Sequence, residues 1–173
     1  MMDEPKERRI LTEALARSGL TGRARKLFAK YPGIEAAARR CAGYLTAEIP
    51  GEGGRPLLDD CLERACVLGE AAEAAGGDPS AAFCAGLMEL AHLALRRTVC
   101  AVWDDGAEGW DPFVEPLAAF LERHGQRRID LLDEPSRDLP AHVARLALAA
   151  RIVPAWLLRD VVREVISAEG AHA

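Results

Sequence analysis

Apolar residues in this chain recur every three or four positions, in successive segments cut off by proline and glycine. That spacing places them on one face of a helix. Ala, Leu, Arg and Glu, all good helix formers, are abundant. β-Branched residues are sparse, and no run of them alternates with polar residues, so the chain reads as all-α. The expected architecture is a compact bundle of seven or eight helices, with stacked helix pairs as the alternative. At 173 residues the chain is long enough to bury a real core and reads as a single helical domain, 1–173. A subdivision into a basic three-helix part, 1–48, and a helical core part, 56–168, stays open.

Eight helices follow from the breaks. The first runs from about Pro5 to Ser18, with Gly19 as the left-handed residue past its end. Thr21 caps a second, to about Lys30, and Tyr31-Pro32-Gly33 stops it. A third runs from Ile34 to about Ala47. Residues Ile49 to Pro56, rich in Gly and Pro, read as a mobile loop or boundary. The fourth helix continues to about Ala75, burying Leu58, Leu62, Ala65, Gly69 and Ala72 opposite Asp59, Glu63, Glu70 and Glu73. Pro79 opens a fifth and most apolar helix, to about Trp103, expected at the centre of the bundle. Asp111-Pro112 reads as cap and first residue of a sixth, ending near Gly125. Residues Arg127 to Pro135 read as a polar connection containing Ile129, Leu131 and Leu132. A seventh helix spans about Leu139 to Arg151, and Pro154 opens an eighth, to about Ala168.

Charge is segregated along the chain. Residues 1–40 carry ten Lys/Arg against five Asp/Glu, residues 41–124 carry five against fifteen, and residues 125–173 carry seven of each. A basic head and an acidic middle imply a surface that meets a partner, or a second copy head to tail. The net charge of −5 speaks against a general nucleic-acid binder. No apolar run is long enough to span a bilayer, and the first residues lack the apolar core of a signal peptide, so a cytoplasmic protein without a membrane role is expected. The five cysteines, odd in number and without a C-x-x-C, read as small core residues.

Four groups of residues are candidates for function. Trp156 falls on the charged side of the eighth helix with Arg159, Asp160 and Arg163, opposite a core stripe of Leu157, Leu158, Val161, Val162, Val165 and Ile166. An aromatic among charges on a wet face is the pattern of an interface anchor, so Trp156, Arg159 and Arg163 form the expected partner-binding set. The other reading packs Trp156 back on Leu148 or Ile152. Gly19, Gly22, Arg23, Arg25, Lys26 and Lys30 form an expected anion-binding set, with glycines and a helix N-terminus beside cations. The plainer reading of that set is a helix stop followed by a solvated face. Glu89 and His92 are spaced as in a di-iron half-site, but helical geometry places them on an exposed strip with Arg96. A second Glu-x-x-His, Glu169 to His172, lies in the tail. Asp104, Asp105, Glu108 and Asp111 form an acidic loop without the order of a calcium-binding loop.

No catalytic constellation assembles from these residues, and no cofactor or metal is implied. The leading reading is a non-catalytic protein–protein interaction module: an adaptor, an accessory subunit or a regulator of a larger complex. Its alternatives are a nucleic-acid-associated protein binding through the basic N-terminal helices, and a metal-dependent helical-bundle enzyme built around Glu89 and His92.

Overall fold

The computed structural model describes residues 4–170. Five helices come first: α1 (Glu4–Arg17), α2 (Thr21–Lys30), α3 (Pro32–Leu45), α4 (Leu57–Ala74) and α5 (Ser80–Ala91). A 3-10 turn, His92–Arg96, leads into the strands β1 (Thr98–Trp103) and β2 (Gly106–Gly109). Helix α6 (Leu117–His124), strand β3 (Arg128–Leu132), and helices α7 (Ala141–Ile152) and α8 (Ala155–Gly170) complete the order. The described chain is therefore mostly helical, and a bundle accommodates it, but it is not all-α.

The α1–α2 corner follows from glycine. Gly19 has φ +69°, its N–H bonds to Ala16 O, and the Leu20 N–H reaches back to Leu15 O at 2.8 Å. This double bond is the usual way a left-handed glycine closes a helix. Thr21, expected as a cap, is instead the first helical residue, and Leu20 precedes it without a side-chain cap.

The expected mobile loop is a closed one. Pro50 and Pro56 form an isolated bridge, Leu57 N–H bonds to Ile49 O, and Ile49 is fully buried. Glycine supplies the positive φ at Gly53 and Gly54 that the turn requires.

Helices α4 and α5 are antiparallel and unusually close. A Cβ on Gly86 would stand 2.8 Å from Ala65 Cα, and one on Gly69 would stand 3.2 Å from the Phe83 ring. Around this contact lie Phe83, Leu87, Met88, Leu58 and Leu62, all fully buried. Helix α5 also touches α3, α7 and α8, which makes it the central helix.

The fifth helix does not reach Trp103. It gives way to the 3-10 turn, and residues 98–103 become the middle strand of an antiparallel sheet of order β2-β1-β3. Thr98, Val99, Val102 and Trp103 favour extended backbone, and burial alternates, with Val99 and Ala101 inward. Asp104-Asp105 is the hairpin turn to β2 rather than an open acidic loop. The expected sixth helix starts five residues late, at Leu117. Asp111 instead accepts the Phe113 N–H in a local turn, and Trp110 donates to Glu115 O. The expected polar connection at 127–135 contains β3, paired to β1 from Thr98↔Leu132 to Val102↔Arg128.

One aspartate departs from the helical-wheel expectation. Asp59, in the first turn of α4, is only 2% exposed. Arg17, at the end of α1, donates to both its oxygens, from Nε at 2.8 Å and from Nη2 at 2.7 Å. The pair ties α1 to α4 across 42 positions of sequence.

Two stability measurements test this frame. Gly86→Ala forces the α4 and α5 backbones apart and is expected to cost about 1–3 kcal/mol by denaturant unfolding. Arg17→Ala leaves the Asp59 carboxylate buried without its cation, at an expected cost of about 2–3 kcal/mol. That is the low end for a broken buried pair, because Arg17 itself keeps contact with water.

Candidate interaction surface

Helix α8 begins after the buried Pro154 and inserts Leu157, Val161 and Val165 into the core. The helical period then turns Trp156, Arg159, Asp160, Arg163 and Ser167 outward, and all five are exposed. Ile166, expected in the core stripe, is also exposed, because the inner face narrows to a strip through Leu157, Val161 and Val165.

Trp156 is 66% exposed. The edge of its six-membered ring rests on Gly33, in the first turn of α3. A Cβ there would stand 2.6 Å from both Cη2 and Cζ2 of Trp156. The indole is thus seated against α3, rather than loose, while most of its surface faces water. Asp160 and Arg163 are 4.0 Å apart and both exposed, a contact of little energetic weight.

The basic head has a different environment from the one its sequence implies. Arg23 donates from Nε and Nη2 to the two oxygens of Glu70, at 2.8 and 2.9 Å. Lys30 donates to Glu73 at 2.8 Å, and Lys6 to Glu122 at 3.0 Å. With Arg17–Asp59, these pairs join the basic head to the acidic middle inside one molecule. Glu70 is held below the usual carboxylate range, chiefly by its hydrogen bonds from Arg23. Arg25 and Lys26 are exposed, as are Gly19 and Gly22. The depression between α2 and α4 that Arg23 and Lys26 line is shared with Glu70 and Glu73, a mixed-charge surface.

A cavity of about 410 Å³ lies among α4, α5, α7 and α8. Leu68, Ala85 and Val165 form part of its wall, and Arg64, Glu89 and Glu164 contribute charge. A second hollow of about 390 Å³ continues along α4 past Arg64. Arg64 donates to Glu89 at 2.7 Å and stands between the two. Glu89 is therefore engaged in an ion pair. His92, expected on the same exposed strip, is buried, since the chain leaves α-helical geometry there and turns it toward α7. Its Nδ1 is 3.5 Å from Arg145 Nε. His172 of the second Glu-x-x-His lies outside the described residues. Among the described residues, no three His, Cys, Asp or Glu side chains converge as metal ligands would.

A second buried histidine, His124, ends α6 and fastens the sheet. Its ring stacks on Trp103 at 6.1 Å and tilts against Phe120 at 4.5 Å, while Arg127 lies 4.0 Å above Trp103. Arg127 Nη1 is 2.9 Å from His124 Nδ1. A guanidinium has only protons to offer, so Nδ1 accepts and the ring proton sits on Nε2. Nε2 is 3.1 Å from a Glu108 oxygen, but off the line of a hydrogen bond.

The cysteines Cys41, Cys61, Cys66 and Cys84 are buried and Cys100 is half-buried; all are free thiols. Burial pushes Cys66 up to about 11 and Cys84 up to about 12, so neither is a nucleophile at neutral pH. No helix among the described residues is long and apolar enough to cross a membrane. No family model, no curated protein and no solved structure matches this chain.

Burial, reinforced by the Arg145 and Arg96 cations, holds His92 below its ordinary value of 6.5. The unfolded chain takes up a proton near 6.5 that the folded chain resists. Stability from the neutral ring is therefore complete above that pH and is lost as pH falls below it. Denaturant midpoints at about pH 7.5 and about pH 5.5 check this. His92→Gln is expected to lose less stability across the interval than the parent chain, and equal losses would assign the pH dependence elsewhere.

Proposed function

We propose that this protein is a non-catalytic protein–protein interaction module, acting as an adaptor, accessory subunit or regulator within a larger complex. The observation that supports this is the seated, two-thirds exposed indole of Trp156, flanked by the exposed Arg159 and Arg163. A rigid aromatic loses little side-chain entropy on binding and brings a large apolar area. Gly33 makes the seat possible by leaving room for the ring. The complementary surface is an apolar pocket rimmed by carboxylates: the pocket takes the indole and the rim meets the two arginines. Covering a further ~100–150 Å² of apolar ring is worth roughly 3 kcal/mol before the costs of association.

The internal pairing of Arg23 and Lys30 redirects this reading away from the basic head. A nucleic-acid backbone at α2 would compete with Glu70 and Glu73 for those cations and would approach the carboxylates themselves. The exposed face of α8 has no such competing partner for its tryptophan, and it carries the proposal.

Quantitative affinity purification from the native host, with the full chain as bait, tests the reading. A partner recovered in stoichiometric amount is expected to bind about 30-fold or more weakly to Trp156→Ala, the effect of removing an interface anchor. Arg159→Glu/Arg163→Glu is expected to weaken it further and to reduce its salt dependence. Circular dichroism should be unchanged in both variants, since neither alters a buried side chain. Absence of a stoichiometric partner, or one retained by both variants, would refute the proposal.

A further inference from the structure

Strand β3 lies at an edge of the sheet, paired to β1 on one side only. The direction of its outer backbone groups follows from the register. Trp110 N–H bonds to Val99 O at 2.7 Å, so Val99 turns its peptide groups toward β2. Successive residues of a strand turn theirs to opposite sides. Thr98, Cys100 and Val102 therefore face β3, where they pair with Leu132, Asp130 and Arg128. Ile129 and Leu131 are left with N–H and C=O groups directed at the free edge. Neither has a backbone partner there among the described residues.

Their side chains are unusual for a free edge. Ile129 is 37% exposed and Leu131 is 38% exposed, and Leu132 on the opposite face is also exposed. Edge strands are ordinarily blunted by charged side chains, proline or a bulge, and here the two charges, Arg128 and Asp130, are paired with each other. Residues 128–132, Arg-Ile-Asp-Leu-Leu, contain no Pro or Lys, and their register with β1 is unbroken.

The charges on this strand are complementary to themselves. Arg128 and Asp130 share the outer face of the sheet, 2.9 Å apart as an intrachain pair. In a two-fold antiparallel pairing centred on Ile129, each Ile129 faces its own copy and exchanges both backbone hydrogen bonds with it. Arg128 then faces the other copy's Asp130, and Asp130 the other copy's Arg128. These are non-hydrogen-bonded positions, where facing side chains come closest. A pairing centred on Asp130 would bring the two aspartates face to face. One centred on Leu131 opposes three residues of each strand, as the Ile129 register does, but it sets Asp130 against Leu132 and forms no Arg–Asp pair within the strands.

We infer that β3 is a self-association edge: two copies of this chain join β3 to β3, antiparallel about Ile129, into one continuous six-stranded sheet. The seam is closed by its two-fold axis, so it yields a dimer rather than a fibre. It uses a surface separate from the α8 face, and it stands or falls independently of the proposed partner.

Sedimentation velocity on the full chain up to about 1 mM tests it. The expected result is a reversible monomer–dimer equilibrium. Ile129→Pro removes an N–H that the chain's own sheet does not use, and is expected to weaken the dimer at least about tenfold. Arg128→Asp and Asp130→Arg each place like charges across the seam and are expected to weaken it by about the same factor. Mixing these two charge variants restores opposite charges at both positions, so a heterodimer is expected where neither variant dimerises alone. A chain that stays monomeric throughout overturns the inference. So does a dimer indifferent to all three substitutions, or a mixture of charge variants that shows no recovery.

Discussion

The close contact of α4 with α5 is what the rest of the structure hangs on. Gly86 against the Ala65 backbone lets the two helices approach more nearly than any side chain would allow. That approach buries Phe83 against Gly69 and leaves α5 free to meet α3, α7 and α8 on its remaining sides. Packing of this kind is sensitive to single methyl groups, because interiors are as dense as organic crystals. Both proposed interaction surfaces are positioned by it. Helix α8 packs on α5 and thereby presents Trp156 outward, while the 3-10 turn at the end of α5 launches β1 and the sheet.

Charge segregation has a structural use that a linear reading hides. The basic helices α1 and α2 lie against acidic α4, and Arg17, Arg23 and Lys30 meet Asp59, Glu70 and Glu73 there. Exposed pairs of this type add little stability each. Arg17–Asp59 is different, because its carboxylate is out of water and depends on one guanidinium. A pattern that reads as a surface for another molecule thus acts largely within this one. The surfaces proposed for partners are the tryptophan face of α8 and the aliphatic edge of β3.

Those two surfaces differ in physical kind. Trp156 offers a rigid apolar anchor with cationic flanks, suited to a pocket on a different protein. The β3 edge offers directed backbone hydrogen bonds and a self-complementary charge pair, suited to another copy of itself. Dimerisation through β3 would also present two α8 faces, so avidity rather than new contacts would raise the affinity for a multivalent partner.

Local signals were legible over most of the helices. Gly19, the prolines 32, 79 and 154, and the stripes of α4, α7 and α8 mark helices that form close to where periodicity puts them. Trp156 faces outward as its place on the helical wheel requires. The strand at 98–103 departs furthest from the helical period of its sequence. An apolar run continuous with a helix fits either period, and Thr98, Val99 and Val102 were the available hint of extended backbone. Asp111-Pro112 resembled a helix start because the same side chain that caps a helix also closes a local turn. Sequence by itself determined where α1 to α4, α7 and α8 form and most of their apolar faces, since both follow from interactions within a few residues. Tertiary structure alone decided that Asp59 and His92 are buried, that the basic head is neutralised from within, and that β3 is left with an open edge. Each depends on which distant segment arrives alongside, and helical periodicity carries no record of that.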